Sequence, residues 1–378
     1  MVDVPIMVPS LDAKPNDKSM EDAMTQKSPN ETEALARRTI LKAAGLGVGA
    51  GMLSGFASAA QAQGAAQAAV QAAPAAGGDI WSTEYWTKKG EINLNIYRKR
   101  VGAPVAGEKA RPVLFMVHGS SNSSRSSYDL QVPARGEYSM MDVFARNGFD
   151  VWTMDHEGYG KSSRSSGNAD IKSGVEDLKL AAEVVKRETG QGKASYFGTS
   201  SGAIRAGAFA QAAPDRVDRL VLSAFTYKGE GSPTLADRAK QVDYYRTHNT
   251  RLRDRAMIHS IFTRDSLASS YDTAVVDAMA DQELKYGDQV PTGTYLDMTA
   301  NLPLVDPLKV KAPVLLIRGD HDGIATVDDL VDFFRQLPNG DRQFAIIPQT
   351  AHNPTLGKNR FLYWYAVNAF LGMPPQVA

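Results

Sequence analysis

Three short stretches of the 378-residue sequence carry residue types that acyl transfer needs. Gly198-Thr199-Ser200-Ser201-Gly202 lies between an apolar run and a helix-like run. Arg318-Gly319-Asp320-His321-Asp322 follows the apolar run Val314–Ile317, and Gln349-Thr350-Ala351-His352 follows Phe344–Ile347. The order along the chain is serine, then acid, then histidine. A serine hydroxyl is a poor nucleophile at neutral pH; it needs an imidazole to take its proton and a carboxylate to set the imidazole's tautomer and stabilise its cation. Where a strand turns sharply into a helix, side chains two residues before and two after the turn residue would collide, so glycine at both places leaves a hydroxyl exposed at the tip. Ser201 shares the turn, but only Ser200 has glycine at both of those positions. Such a site would attack a carbonyl, pass through an oxyanion and an acyl-enzyme, and be regenerated by water. Asp320 and Asp322 both stand where the acid is needed.

The other histidines read differently. His118 is expected to bond loop backbone, and His156 to shape the rim of a pocket. His321 lies between two aspartates, yet no H-E-x-x-H or comparable ligand spacing accompanies it, so it reads as a solvated loop residue and no metal or cofactor site is expected. His248 and His259 read as surface or substrate-rim residues.

These loops need a scaffold that brings them to one edge. Ile92–Tyr97 alternates with period two and predicts an antiparallel strand with one wet face. Continuous apolar runs at Pro112–Val117, Phe149–Met154, Ala194–Phe197, Leu220–Leu222, Val314–Ile317 and Phe344–Ile347 predict strands buried on both faces. Between them, Met140–Asn147, Val175–Arg187, Ala203–Ala212, Asp328–Leu337 and Arg360–Phe370 have apolar spacing near 3.6 and predict helices. The alternation predicts an α/β fold, a mostly parallel sheet with helices on both faces, whose strand ends share one ligand-binding edge. It breaks once, between Phe225 and Ala312, where the mostly helical pattern reads as an inserted cap. Its Tyr227, Tyr244, Tyr245, Met257, Ile258, Phe262 and Tyr271 either line a pocket or pack the cap's own core.

With these motifs in order, the chain from about Trp81 to Leu371 resembles an α/β-hydrolase of the serine-hydrolase type. His118-Gly119 looks like that family's oxyanion-loop motif, and Asp155-His156-Glu157-Gly158-Tyr159-Gly160-Lys161-Ser162 looks like its D-x-x-G-x-G-x-S turn. The resemblance implies Ser200 as nucleophile, His352 as base and, by the family's spacing from the glycine, Asp322 in preference to Asp320 as the acid. It implies the backbone N–H groups of Ser120 and Ser201 as oxyanion donors. The serine nucleophile sets the chain apart from dehalogenases and epoxide hydrolases of this fold, which need a carboxylate at the elbow. Carboxylic esters are the expected substrates, with lactonase, amidase, peptidase and perhydrolase activity, and a non-catalytic binding protein, as alternatives. One departure is the stretch "SSNSSRSSYD" after Gly119, read either as a long solvated loop or as a polar wall with Arg125 offered to a substrate carboxylate or carbonyl.

The formal net charge is +0, which favours small-molecule partners over nucleic acid, and the absence of cysteine excludes disulfides and thiolate chemistry. Arg37-Arg38 and Lys42 precede a Gly/Ala-rich apolar run that ends at Ala60-Gln61-Ala62, which resembles a twin-arginine export signal. The resemblance implies engagement of the twin-arginine export machinery, cleavage near Ala62, and a periplasmic or secreted enzyme. Gly45-Leu46-Gly47-Val48-Gly49-Ala50 matches a dinucleotide fingerprint in letters only, since no strand precedes it. The expected organisation is an N-terminal extension with signal over 1–62, an Ala/Gln-rich linker over 63–80, core over 81–225, cap over 226–311 and core again over 312–378.

Overall fold

The computed structural model describes residues 78–374, apart from Ser266. The export signal and nearly all of the expected linker lie outside those residues. Among the described residues no helix is long and apolar enough to cross a membrane.

Eight strands form one sheet in the order β1-β2-β4-β3-β5-β6-β9-β10. They are β1 (Ile80–Lys89), β2 (Ile92–Val101), β3 (Val113–Val117), β4 (Asp150–Met154), β5 (Ala194–Thr199), β6 (Val217–Ser223), β9 (Val314–Gly319) and β10 (Arg342–Ile347). β1 and β2 join antiparallel, and every pair from β4 to β10 is parallel. Strand β3 shows why continuous apolar runs mean burial on both faces. Val113, Phe115 and Val117 point into a core shared with helices α3 (Ile171–Thr189) and α4 (Ser201–Ala212), while Leu114 and Met116 point into a second core built on α2 (Met140–Arg146) and α11 (Arg360–Leu371). Helix α3 starts where Asp170 accepts the Ser173 N–H at 2.7 Å and stops at Gly190, whose left-handed φ of 73° closes it.

Two strand expectations need correction. β2 has no wet face: residues 94–101 are all buried. Its charged residues are neutralised in place, Arg98 by Asp150 at 2.5 Å, Lys99 by Asp129 and Asp142 at 2.6 Å each, and Arg100 by Glu108 at 2.5 Å. Arg98 also lies against the Trp152 ring at 4.8 Å. β10, expected to be buried on both faces, is the sheet's outer strand and is mostly half-exposed.

Between β6 and its sheet neighbour β9 the chain leaves the sheet. This excursion holds a small ribbon of β7 (Thr250–Leu252) and β8 (Gln289–Pro291), and helices α5 (Pro233–Ala239), α6 (Val242–Thr247), α7 (Arg255–Thr263), α8 (Thr273–Leu284) and α9 (Gly293–Leu296). Helices α7 and α8 share an apolar cluster with Leu130, Val132 and Tyr138, which follow the short helix α1 (Ser124–Tyr128), and with Leu356, which follows β10. Those partners all come from connections leaving the C-terminal ends of parallel strands, so the excursion is anchored at that edge. Helix α10 (Val327–Gln336) completes the set.

Candidate active site

Register places the carboxyl ends of the strands side by side: Val117 pairs with Gly198, Thr199 with Ser223, and Gly319 with Ile347. Ser200 occupies the single residue between β5 and α4, with φ 58° and ψ −126°. That conformation is strained for a residue with a side chain and is held from outside. The Ser200 N–H donates to the Ser223 carbonyl at 2.9 Å, and its own carbonyl accepts the Ala203 N–H at 2.9 Å. The two glycines are required by close backbone approach. A Cβ on Gly198 would stand 2.3 Å from the Gly202 carbonyl oxygen, and one on Gly202 would stand 2.1 Å from that of Val117.

Ser200, His352 and Asp322 form one hydrogen-bonded chain. His352 Nε2 is 3.0 Å from Ser200 Oγ, and His352 Nδ1 is 2.8 Å from Asp322 Oδ1. A carboxylate can only accept, so Nδ1 carries the proton and Nε2 offers its lone pair to the serine hydroxyl. Burial pushes the Asp322 carboxyl up, but the His352 imidazole and the N–H groups of Ile324 and Ala325 outweigh it and hold it below the usual carboxylate range. Asp320 does different work. Its two oxygens accept the Gln349 and Thr350 N–H groups at 3.0 Å each, which ties the end of β9 to the loop that carries His352. Asp265 of the excursion adds a third tie by accepting the His352 N–H at 2.8 Å.

Gly119 and Ser120 lie against the turn. A Cβ on Gly119 would stand 3.1 Å from the Thr199 carbonyl oxygen, and Ser120 Oγ donates to Ser201 Oγ at 2.7 Å. Among the described residues neither the Ser120 nor the Ser201 N–H is spent on a protein acceptor. The stretch after Gly119 is not a solvated loop: Ser120 to Ser124 are buried. Ser123 donates its N–H and its hydroxyl to Glu283 Oε1 at 2.6 Å each, and Ser124 donates both of its groups to Asp155 Oδ1. Arg125 is not offered to a substrate either. It is paired with Glu84 and stacked 3.8 Å over the Tyr97 ring.

His118 and His156 are buried and uncharged. His118 Nε2 accepts the His156 N–H at 3.0 Å, so Nδ1 carries the proton and donates to the Gly119 carbonyl. Burial, with the neighbouring His156 and Arg205, keeps His118 well below its ordinary value, and burial with Arg205 pulls His156 down to about 4 despite its bond to Asp177. His156 is wholly buried and not at a pocket rim. His321 is half-exposed, His259 pairs with Asp277, and His248 stacks on Tyr244.

Above Ser200 and His352 lies a narrow, partly enclosed cleft. The excursion contributes Arg238, Ile261, Arg264 and Met279 to its lining, and none of the seven aromatic and aliphatic residues singled out from the sequence. Ile258 and Phe262 are instead buried in the apolar cluster that anchors the excursion to Leu130, Val132, Tyr138 and Leu356, and Tyr245 packs on Tyr295. Arg238 and Arg264 were not legible as cleft residues, because their charge run looks like any solvated helix face.

The family model for serine aminopeptidases, S33, matches residues 108–358, a span that contains Ser200, Asp322 and His352. The chain belongs to this family. Among curated proteins, the S33 chain is 28% identical over 218 residues to the 2-hydroxy-6-oxononadienedioate/2-hydroxy-6-oxononatrienedioate hydrolase of Burkholderia vietnamiensis, covering 53% of this chain and 70% of that protein. Its fold is similar to that of the enol-lactonase from Burkholderia xenovorans, at 15% identity and TM-score 0.55 over 76% of this chain and 100% of that one. It is similar also to a 2-hydroxy-6-oxo-6-phenylhexa-2,4-dienoate hydrolase from Rhodococcus, at 17% identity and TM-score 0.54 over 78% and 99%. The S33 protein is thus a hydrolase of the α/β-hydrolase fold, related to hydrolases.

Proposed function

We propose that the protein hydrolyses carboxylic esters, with Ser200 as nucleophile, His352 as general base and acid, and Asp322 as the group that orients and stabilises the imidazole. The observation that carries this reading is the unbroken hydrogen-bonded chain from Asp322 through His352 to Ser200 at the tip of a strained turn. Ser200 Oγ attacks the ester carbonyl as its proton passes to His352 Nε2. The tetrahedral oxyanion is met by the Ser120 and Ser201 N–H groups, the latter at the start of α4 where the helix dipole favours negative charge. His352 then gives its proton to the leaving alkoxide, and a water repeats the sequence to free the acid and restore Ser200. Residues 226–311 act as a cap that limits water and shapes the acyl pocket.

Esters are preferred over amides because an alkoxide leaves with less assistance than an amine. The relatives' names include a lactone substrate and dienoates, so the test is comparative. On p-nitrophenyl esters of graded chain length, kcat/KM is expected to exceed that on matched anilides by about a hundredfold or more, roughly 3 kcal/mol of barrier. Faster turnover of aminoacyl anilides, or of a dienoate carbon–carbon bond, would replace this reading.

We infer further that the protein is exported through a twin-arginine route, on the strength of Arg37-Arg38 and the Ala60-Gln61-Ala62 site. Mature protein is expected to begin near Gln63, and the Arg37→Lys, Arg38→Lys pair to leave precursor in the cytoplasm. Undiminished export of that variant would remove the inference.

A further inference from the structure

The cleft over Ser200 is lined by two guanidinium groups and by no carboxylate. Arg238, at the end of α5, forms no ion pair or hydrogen bond through its side chain among the described residues, and lies 5.1 Å from the centre of the Tyr295 ring. Arg264, just past α7, has Nε 3.7 Å from Asp265 Oδ1, too long for a hydrogen bond, and that Nε is buried without a partner. The carboxylates whose fields reach Arg264 are Asp265 and Asp322, and His352 engages both, one through its N–H and the other through its ring.

Burial pulls both guanidiniums down, Arg238 to about 10 with the charge of Arg264 adding to the effect, yet both stay cationic at neutral pH. Buried cations elsewhere are held either by a carboxylate, as Arg98 by Asp150 and Arg253 by Glu283, or by backbone carbonyls, as Arg360 by those of Glu137 and Gly357; the Arg238 side chain has neither among the described residues. The Arg264 Nε is buried without a hydrogen-bond partner, and the half-buried Arg238 guanidinium has no carboxylate paired with it, a deficit that a bound anion would offset. The planar fork of a guanidinium matches a carboxylate in shape.

We propose that the substrate carries a carboxylate, held by Arg238 and Arg264 while Ser200 attacks its ester carbonyl; this rests on Ser200 being the nucleophile. A carboxylate is the anion that fits on the same acyl chain as the scissile ester. The role that the sequence suggested for Arg125 thereby falls to two arginines of the excursion.

The test compares mono-p-nitrophenyl adipate with its neutral amide analogue, p-nitrophenyl adipamate, which has the same length. Wild-type kcat/KM is expected to favour the acid by about tenfold or more, the scale of a charge-assisted hydrogen bond. Arg238→Gln and Arg264→Gln should each cut that preference several-fold, chiefly through KM. The double variant should bring it to about one, and Arg264→Lys should retain part of it. A wild-type ratio at or below one, or a ratio unmoved in the double variant, overturns the proposal. Binding of adipate against adipamide to Ser200→Ala protein, measured by calorimetry, separates this from the nucleophile assignment. Adipate binding that is lost in the double arginine variant supports the anion site even if wild-type protein turns over neither ester, a result that would sink the nucleophile assignment alone. Equal or absent binding of both overturns the anion site whatever the turnover.

Discussion

Ser200→Ala is expected to lower kcat by about 10⁴-fold or more, and His352→Ala by a similar factor, because nucleophile and base act as one unit. Without Oγ no acyl-enzyme forms, and what remains is the contribution of binding and of the Ser120 and Ser201 N–H groups. Without the imidazole at 3.0 Å, the hydroxyl keeps its proton as it attacks. Asp322→Asn should cost less than loss of the nucleophile. An amide N–H facing Nδ1 favours the wrong tautomer, but Ser200 and the oxyanion donors stay in place. Asp320→Asn is the informative comparison. Asp320 binds only the backbone of the His352 loop and is about a third exposed, so its loss should leave most of kcat. Steady-state kinetics on one good ester separates these cases; a crippled Asp320→Asn with an active Asp322→Asn would reverse the assignment of the acid.

Glu283→Ala should give the largest loss of stability of any single polar change outside that chain. Glu283 is fully buried in α8, ion-paired with Arg253, and accepts from Ser123 and Ser126 across the gap to the stretch that begins at Gly119. Arg253 is also buried and donates to the Ser121, Glu283 and Gly287 carbonyls. Removing the carboxylate strands a buried guanidinium and frees three donors, a cost on the order of 3–5 kcal/mol. The melting temperature should fall by several degrees. Because Ser120 lies on the same stretch, kcat should fall in the folded fraction too. Glu283→Gln keeps an acceptor and should lose less. A melting temperature within a degree of wild type for Glu283→Ala would show that water or a side-chain shift replaces the carboxylate.

How far the sequence reveals the molecule follows from which residues obey local rules. The paired glycines around Ser200 are required because a Cβ at either would stand within 2.5 Å of a backbone carbonyl oxygen, so the turn is visible in the letters alone. Strands β3, β4 and β9 are legible because both faces meet apolar helices. Strand β1 has no such signal, since Ile80–Lys89 mixes aromatic and polar residues and is only half covered. The charged end of β2 beyond Tyr97 is hidden for a different reason, as ion pairs to residues on other segments bury it. The same blindness hides Arg238, Arg264 and the Arg253–Glu283 pair. A charge run has no period that tells which side turns inward, and only the packed partner decides it.

The most direct measurement is covalent labelling with a fluorophosphonate followed by peptide mapping. Wild-type protein is expected to carry one adduct, on Ser200, and the Ser200→Ala variant none. An adduct on Ser201 or on another serine in place of Ser200, or no adduct on folded wild-type protein, would contradict the assignment of Ser200 as the nucleophile.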